Sequence, residues 1–175
     1  MTDLPRVVVV TGPVGAGKTT TAEAFREVLL ERGESGAVID VDALRNAWPA
    51  PEDDPFGERL GRANLAAIWP NLVERGFDWL VLADVVETAD HRLAYEQAFP
   101  GAEITIARLD VPIEVIMKRL IGRETDDTIA WYLKRAPELQ QIMITNDIGD
   151  LVIAITDESP RSAAERILSA VTCRA

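Results

Sequence analysis

Among 175 residues there is one cysteine, Cys173, and one histidine, His91. A single thiol excludes an internal disulfide and fits a reducing compartment. A lone imidazole leaves neither a histidine metal cluster nor a histidine triad available, and His91 is expected at the surface. Positive charge is scarce as well: 18 Lys and Arg stand against 29 Asp and Glu, a net charge of −11. A field of that sign repels nucleic-acid backbones and anionic bilayers, so neither a nucleic acid nor a membrane is expected as partner. No apolar run approaches the ~20 residues of a membrane span. Met1–Pro5 carries no basic stretch leading into a long apolar one, so no leader peptide is expected. The expected location is cytoplasmic.

What the chain does have is core: 47% of its residues are hydrophobic. That excludes a disordered tail and is enough for a single domain, expected over residues 1–175. Apolar runs alternate with helical patterns throughout, as in an α/β protein built on a parallel sheet. Arg6–Val10, Ala37–Asp40, Trp79–Ala83, Glu103–Leu109 and Leu151–Ile155 read as strands. The first is four valines without polar alternation, as a strand covered on both faces requires. Helices are expected over Thr20–Arg32, Glu58–Arg75, Asp90–Ala98, Pro112–Ile121 and Thr128–Ile142, with Ser159 and Pro160 opening a last one to Val171. Pro70 should kink or split the second of these. Between Asp42 and Gly57 three prolines and several acids predict a loop or a broken helix, and Glu52-Asp53-Asp54 a solvated acidic turn. Five strands joined by helices predict a three-layer α/β/α sandwich around a parallel sheet.

The most specific feature is Gly12-Pro13-Val14-Gly15-Ala16-Gly17-Lys18-Thr19, a full G-x-x-x-x-G-K-[ST] match followed by Thr20. The glycines let successive amides turn inward as an anion nest. Lys18 supplies a point charge to the β- and γ-phosphates, and the Thr19 hydroxyl is offered to Mg²⁺. The helix that follows aims its positive end at the same place. Strand before and helix after supply the context that a P-loop NTPase requires. No Asn-Lys-x-Asp guanine-reading motif occurs, which favours ATP over GTP.

Further chemistry is expected where strands end, since ligands in this fold lie beyond the carboxyl ends of strands. Asp40 and Asp42 close the second strand in Ile39-Asp40-Val41-Asp42-Ala43-Leu44-Arg45. Asp42 is the favoured base or acceptor-orienting group, with helix capping as the alternative. Asp84, ending Trp79-Leu80-Val81-Leu82-Ala83, fits an acid that orients Mg²⁺-bound water, or else a turn residue. Arg119 and Arg123, four apart, share a helical face and can clamp the transferring phosphoryl group, or else offset the helix dipole and the surrounding acids. Trp48, Trp69 and Trp131 can line an acceptor pocket or fill core. Arg135 fits a solvated helix face better than a lid charge.

Taken together these motifs resemble the P-loop small-molecule kinases, the group of nucleoside-monophosphate, shikimate, gluconate and adenylylsulfate kinases. Asp110-Val111-Pro112 with Arg119-Leu120 and Arg123 is similar to the helix leading into the lid of adenylate kinases, whose arginines contact ATP. Asp40-Val41-Asp42-Ala43-Leu44-Arg45 resembles the Asp-Gly-Asp-x-x-Arg of adenylylsulfate kinases, with Val41 in place of glycine. That likeness implies a catalytic Asp42 and an Arg45 that meets the acceptor. It extends to Phe56, Arg59 and Asn64 as an acceptor region, and in such kinases the turn corresponding to Thr156–Pro160 packs on adenine. The Ser-Pro segment and the lysine-rich lid of adenylylsulfate kinases are missing. Val85-Val86-Glu87 and Glu124-Thr125-Asp126-Asp127 stand there instead.

The resemblance implies an acceptor-region insertion at about 42–62 and a short lid at about 119–137. It implies transfer of the ATP γ-phosphate to a small molecule, whether metabolite, nucleoside, nucleotide or antibiotic. The alternative is a regulatory nucleotide-binding ATPase or switch with no metabolite acceptor.

Overall fold

The computed structural model describes residues 4–123, the last by its backbone alone, and 128–173. The four valines of β1 (Arg6–Thr11) are fully buried and put it at the centre of the sheet. On one side it pairs with β3 (Trp79–Ala83), which in turn pairs with β2 (Gly36–Asp40). On the other it pairs with β4 (Ile104–Asp110), which carries β5 (Leu151–Ala154). The order is β2-β3-β1-β4-β5 and every pairing is parallel.

Successive residues of a strand face opposite sides, so the valine run feeds two cores. Val8 and Val10 join Phe25 and Val28 of α1 (Lys18–Glu31) and Ile167 and Leu168 of α7 (Pro160–Thr172). Val7 and Val9 join Leu65 and Trp69 of α3 (Glu58–Arg75) and Tyr95 of α4 (Ala89–Ala98), with Phe99 just beyond. Each buried valine contributes about 1.5–3 kcal/mol, so neither core is dispensable. α5 (Ile113–Arg123) adds Ile116 and Leu120 to the first core. α6 (Ile129–Thr145) gives Ala136 to the first and Met143 to the second. The result is the expected three-layer α/β/α sandwich with a five-stranded parallel sheet. From β1 the chain passes to one edge, and from β3 it crosses to the other, so the direction of winding reverses beside β1. A ligand crevice opens at such a reversal, beyond the strand ends.

Two expectations change. Pro70 leaves α3 a single helix from Glu58 to Arg75, closed by Gly76 in the left-handed conformation at φ 68°. That excludes the split, though not a kink; Pro70 and Ala66 both lie on the exposed face, where the carbonyl that loses its amide partner is open to water. The acidic turn is also not wholly solvated, because Asp54 is buried. Its carboxylate accepts the amides of Arg59 at 3.1 Å and Leu60 at 3.3 Å, which secures the start of α3. Elsewhere Ser159 caps α7 as expected, accepting the Ser162 amide at 3.2 Å. Among the described residues no helix is long and apolar enough to cross a membrane.

Candidate active site

The loop from Gly12 to Gly17 joins β1 to α1 at the reversal point. Gly15 at φ 83° and Gly17 at φ 97° occupy left-handed backbone that side chains disfavour. A Cβ on Gly15 would also press on the Leu120 side chain at 3.1 Å, a tight contact added to the left-handed strain. The Ala16 amide turns back to the Pro13 carbonyl at 3.1 Å. α1 begins after Gly17 without a side-chain cap, which leaves its leading amides for an anion.

Around this loop lies a cleft of about 490 Å³, lined by Gly15 to Thr21, Asp40 and Asp42, Arg119 and Leu120, and Glu158 to Pro160. The Lys18 ammonium reaches the Pro13 carbonyl at 3.3 Å. Burial pulls the Lys18 pKa below its ordinary value, while Asp42, Asp84 and Asp40 pull the other way. Thr19 donates its hydroxyl to Asp40 at 2.8 Å. Asp40, the last residue of β2, also caps the short helix α2 (Val41–Arg45) by accepting the Asp42 amide at 3.1 Å. The capping role weighed for Asp42 thus falls to Asp40, and the Asp42 carboxylate projects from the first turn of α2, largely exposed. Arg119 reaches across from α5 and donates to the Ala16 carbonyl at 3.2 Å.

Behind Asp42 is a polar knot that pattern alone does not reveal. Arg45 donates through Nε to Asp42 at 2.8 Å and stands 3.3 Å from Asp84. Burial opposes the charge on Arg45, but Asp84 and Asp42 outweigh it and raise its pKa. Asp84 is buried, and its oxygens accept the Tyr95 hydroxyl at 2.6 Å and the Val85 amide at 2.8 Å. Burial raises the Asp84 pKa, with Arg45 and Tyr95 working against that rise. The Asp84 oxygens therefore face Arg45, Tyr95 and the chain, while the carboxylate at the Thr19 hydroxyl is that of Asp40.

Gly57 lies under this knot. At φ 63° its missing Cβ would be 2.3 Å from the Arg45 carbonyl oxygen. Gly57→Ala is expected to cost about 2–4 kcal/mol, from left-handed strain plus overpacking, and to push α2 out of place. Urea unfolding of the variant checks this.

A second cavity, of about 790 Å³, shares Val14, Asp42, Val85 and Tyr132 with the first. Its other walls are Arg45, Phe56 and Glu58 on one side and Trp131, Arg135 and Glu138 of α6 on the other. Arg135 is no solvated face residue: it donates to both oxygens of Glu87 at 2.8 Å. The turn after β3 supplies that acid, a long-range pairing with no local signal. His91 is half-buried in the same wall, its ring nitrogen 3.1 Å from the Thr88 hydroxyl.

Of the residues expected at the site, the phosphate loop, Lys18, Thr19, Thr20, Asp40, Asp42 and Arg119 come together in the first cleft. Arg45, Phe56 and Trp131 border the second. Arg59 does not join them; it pairs with Asp53 at the surface. Asn64 holds the Leu44 carbonyl at 2.6 Å, Trp69 is core, and Trp48 is exposed away from both cavities. The Arg123 side chain and Glu124 to Asp127 of the expected lid lie outside the described residues.

A family model for Zeta toxin matches residues 2–54, the part holding the phosphate loop and the Asp40–Arg45 segment. No curated protein gives a significant match. Solved structures match along the whole chain. The Deinococcus radiodurans tunicamycin resistance protein aligns with TM-score 0.67 at 17% identity, covering 95% of both chains. The Mycobacterium tuberculosis APS kinase, in complex with AMPPNP and APS, aligns with TM-score 0.66 at 22% identity, over 97% of this chain and 98% of that one. Shikimate kinase from Acinetobacter baumannii, in complex with shikimate, aligns with TM-score 0.60 at 21% identity, over 99% and 96%. The chain therefore shares its fold with these proteins, a likeness that runs across the sheet and both helical layers.

Proposed function

We propose that the protein is an ATP-dependent phosphotransferase that moves the γ-phosphate of ATP to a hydroxyl of a small molecule. The observation that carries this reading is the position of Asp42, which borders both the phosphate-loop cleft and the second cavity. A carboxylate at that junction has a phosphate donor on one side and room for an acceptor on the other. A regulatory switch requires no second cavity there, so the cavity favours the kinase. The APS kinase is in complex with AMPPNP and APS and the shikimate kinase with shikimate, so a small-molecule ligand beside a nucleotide has a precedent in this fold. The net charge of −11 supports a small-molecule acceptor over a nucleic acid.

The triphosphate lies along the loop amides and the α1 N-terminus, with Lys18 at its β- and γ-phosphates. Arg119, anchored on Ala16, adds charge beside the loop, and residues Glu158 to Pro160 border the base end. Hydroxyl and carboxylate oxygens at Thr19 and Asp40 suit Mg²⁺, which keeps several waters and takes few protein ligands. Among the described residues no group of three or more acids, histidines or cysteines forms an all-protein metal cage, in keeping with an ion shared with phosphates. Bound there, Mg²⁺ supplies neutralising charge to the phosphates.

Asp42 accepts the proton of the attacking hydroxyl as that oxygen bonds to the γ-phosphorus. The bond from the γ-phosphorus to the bridging oxygen breaks, and the electron pair leaves with ADP. Arg45 holds Asp42 in place, itself braced by Asp84 and Tyr95. Residues of the segment at about 42–62, namely Asp42, Arg45, Phe56 and Glu58, supply the acceptor side of the second cavity. Coupled measurement of ADP release with ATP, Mg²⁺ and a panel of hydroxyl compounds tests the assignment: release that rises with an acceptor supports it. Release indifferent to every acceptor contradicts it.

A further inference from the structure

The second cavity carries a statement about the charge of its occupant, one that rests on the phosphotransferase reading above. Among the described residues, its guanidiniums are those of Arg45 and Arg135, and both are already engaged. Arg45 is held by Asp42 and Asp84, and Arg135 by Glu87 through both oxygens, with Glu138 at 3.6 Å. Four carboxylates line the cavity (Asp42, Glu58, Glu87 and Glu138), and of these Glu58 pairs with Arg62 at 3.4 Å, so three stand with the two guanidiniums. An acceptor bearing a carboxylate, sulfate or phosphate would find no uncommitted guanidinium or ammonium among the described lining residues, and His91 is engaged through one ring nitrogen by Thr88. To gain a cation it would have to share a guanidinium with the acid already on it, or displace that acid and leave it unpaired at the cavity wall.

Beside Val14, Val85 and Leu139, the walls carry the rings of Phe56, Trp131 and Tyr132. Phe56 and Trp131 are 68% and 50% exposed, high values for side chains of this size, and both border the cavity. The Trp131 ring meets Tyr132 edge-on at 5.1 Å, which leaves its face open as a platform. Aromatic faces of this kind stack on flat or apolar ring faces and attract ammonium groups.

From the paired arginines, the surplus of carboxylates and the aromatic walls, we propose that the acceptor is a hydroxylated ring compound that is uncharged or carries ammonium groups. Nucleosides, amino sugars and aminated glycosides have this chemistry, whereas nucleoside monophosphates, sugar acids and other anionic metabolites do not.

The test compares two arms at saturating ATP and Mg²⁺ by ADP release. One arm holds nucleosides, neutral and amino sugars and aminated glycosides; the other holds nucleoside monophosphates, uronic and aldonic acids and shikimate. The expected result is a kcat/KM for the best compound of the first arm at least tenfold above the best of the second. A best anionic compound that equals or exceeds the first arm, or falls less than tenfold short, overturns this inference and leaves the phosphotransferase reading standing. No acceptor-dependent release in either arm overturns both. With the best acceptor, Trp131→Ala is expected to raise its KM about tenfold, the loss of one ring stack, with the KM for ATP unchanged. An unchanged acceptor KM overturns the aromatic platform.

Discussion

Replacing Lys18 with alanine lowers kcat about 10²- to 10³-fold while the protein stays folded. The magnitude is that of removing one preorganised charge from a transferring group in a water-poor site. In the free protein the Lys18 ammonium makes one hydrogen bond, to the Pro13 carbonyl, so its loss leaves the loop's glycine geometry and the packing of α1 in place. Removal of a cation from beside Asp40, Asp42 and Asp84 leaves those acids to repel the triphosphate, so ATP affinity falls as well. Circular dichroism and urea unfolding should match the parent protein, and single-turnover transfer should not. Unchanged transfer would mean that phosphate is held elsewhere.

Asp42→Asn is the second large effect: kcat falls about 10²- to 10⁴-fold, the range for losing a general base. The amide keeps the shape and one acceptor oxygen, and Arg45 retains its buried partner Asp84, so the knot behind α2 survives. The KM for ATP should stay within a few-fold. Asp40→Asn separates the two neighbouring acids. Since Asp40 meets the Thr19 hydroxyl, its loss should raise the Mg²⁺ concentration needed for half-maximal rate, whereas Asp42→Asn should not. Steady-state rates across a Mg²⁺ titration distinguish the two. A normal kcat for Asp42→Asn would move the base to another residue.

Much of this architecture is legible where the signal is local. The valines of β1, the glycine-lysine loop and the Ser159-Pro160 start of α7 each carry their structure within a few residues, and α3 has the bounds expected of it. Less legible is whatever depends on partners far along the chain. Tyr95 reaches Asp84 from α4, Glu87 reaches Arg135 on α6, and Thr19 reaches Asp40 across twenty-one positions. Spacing places Asp84 at a strand end, but only the three-dimensional arrangement shows its oxygens turned to Arg45 and Tyr95. Pro70 illustrates the converse. Its local rule predicts a kink or a split, and the helix runs through it unsplit, with the unpaired carbonyl of Ala66 on an exposed face.

The account depends most directly on the phosphate loop holding a nucleoside triphosphate. Isothermal titration of the purified protein with ATP in the presence of Mg²⁺ tests that claim alone, without needing the acceptor. The account predicts saturable binding of one ATP per chain, greatly weakened by Lys18→Ala. Folded protein that takes up no ATP across the titration, or that binds it equally well without the Lys18 ammonium, would contradict it.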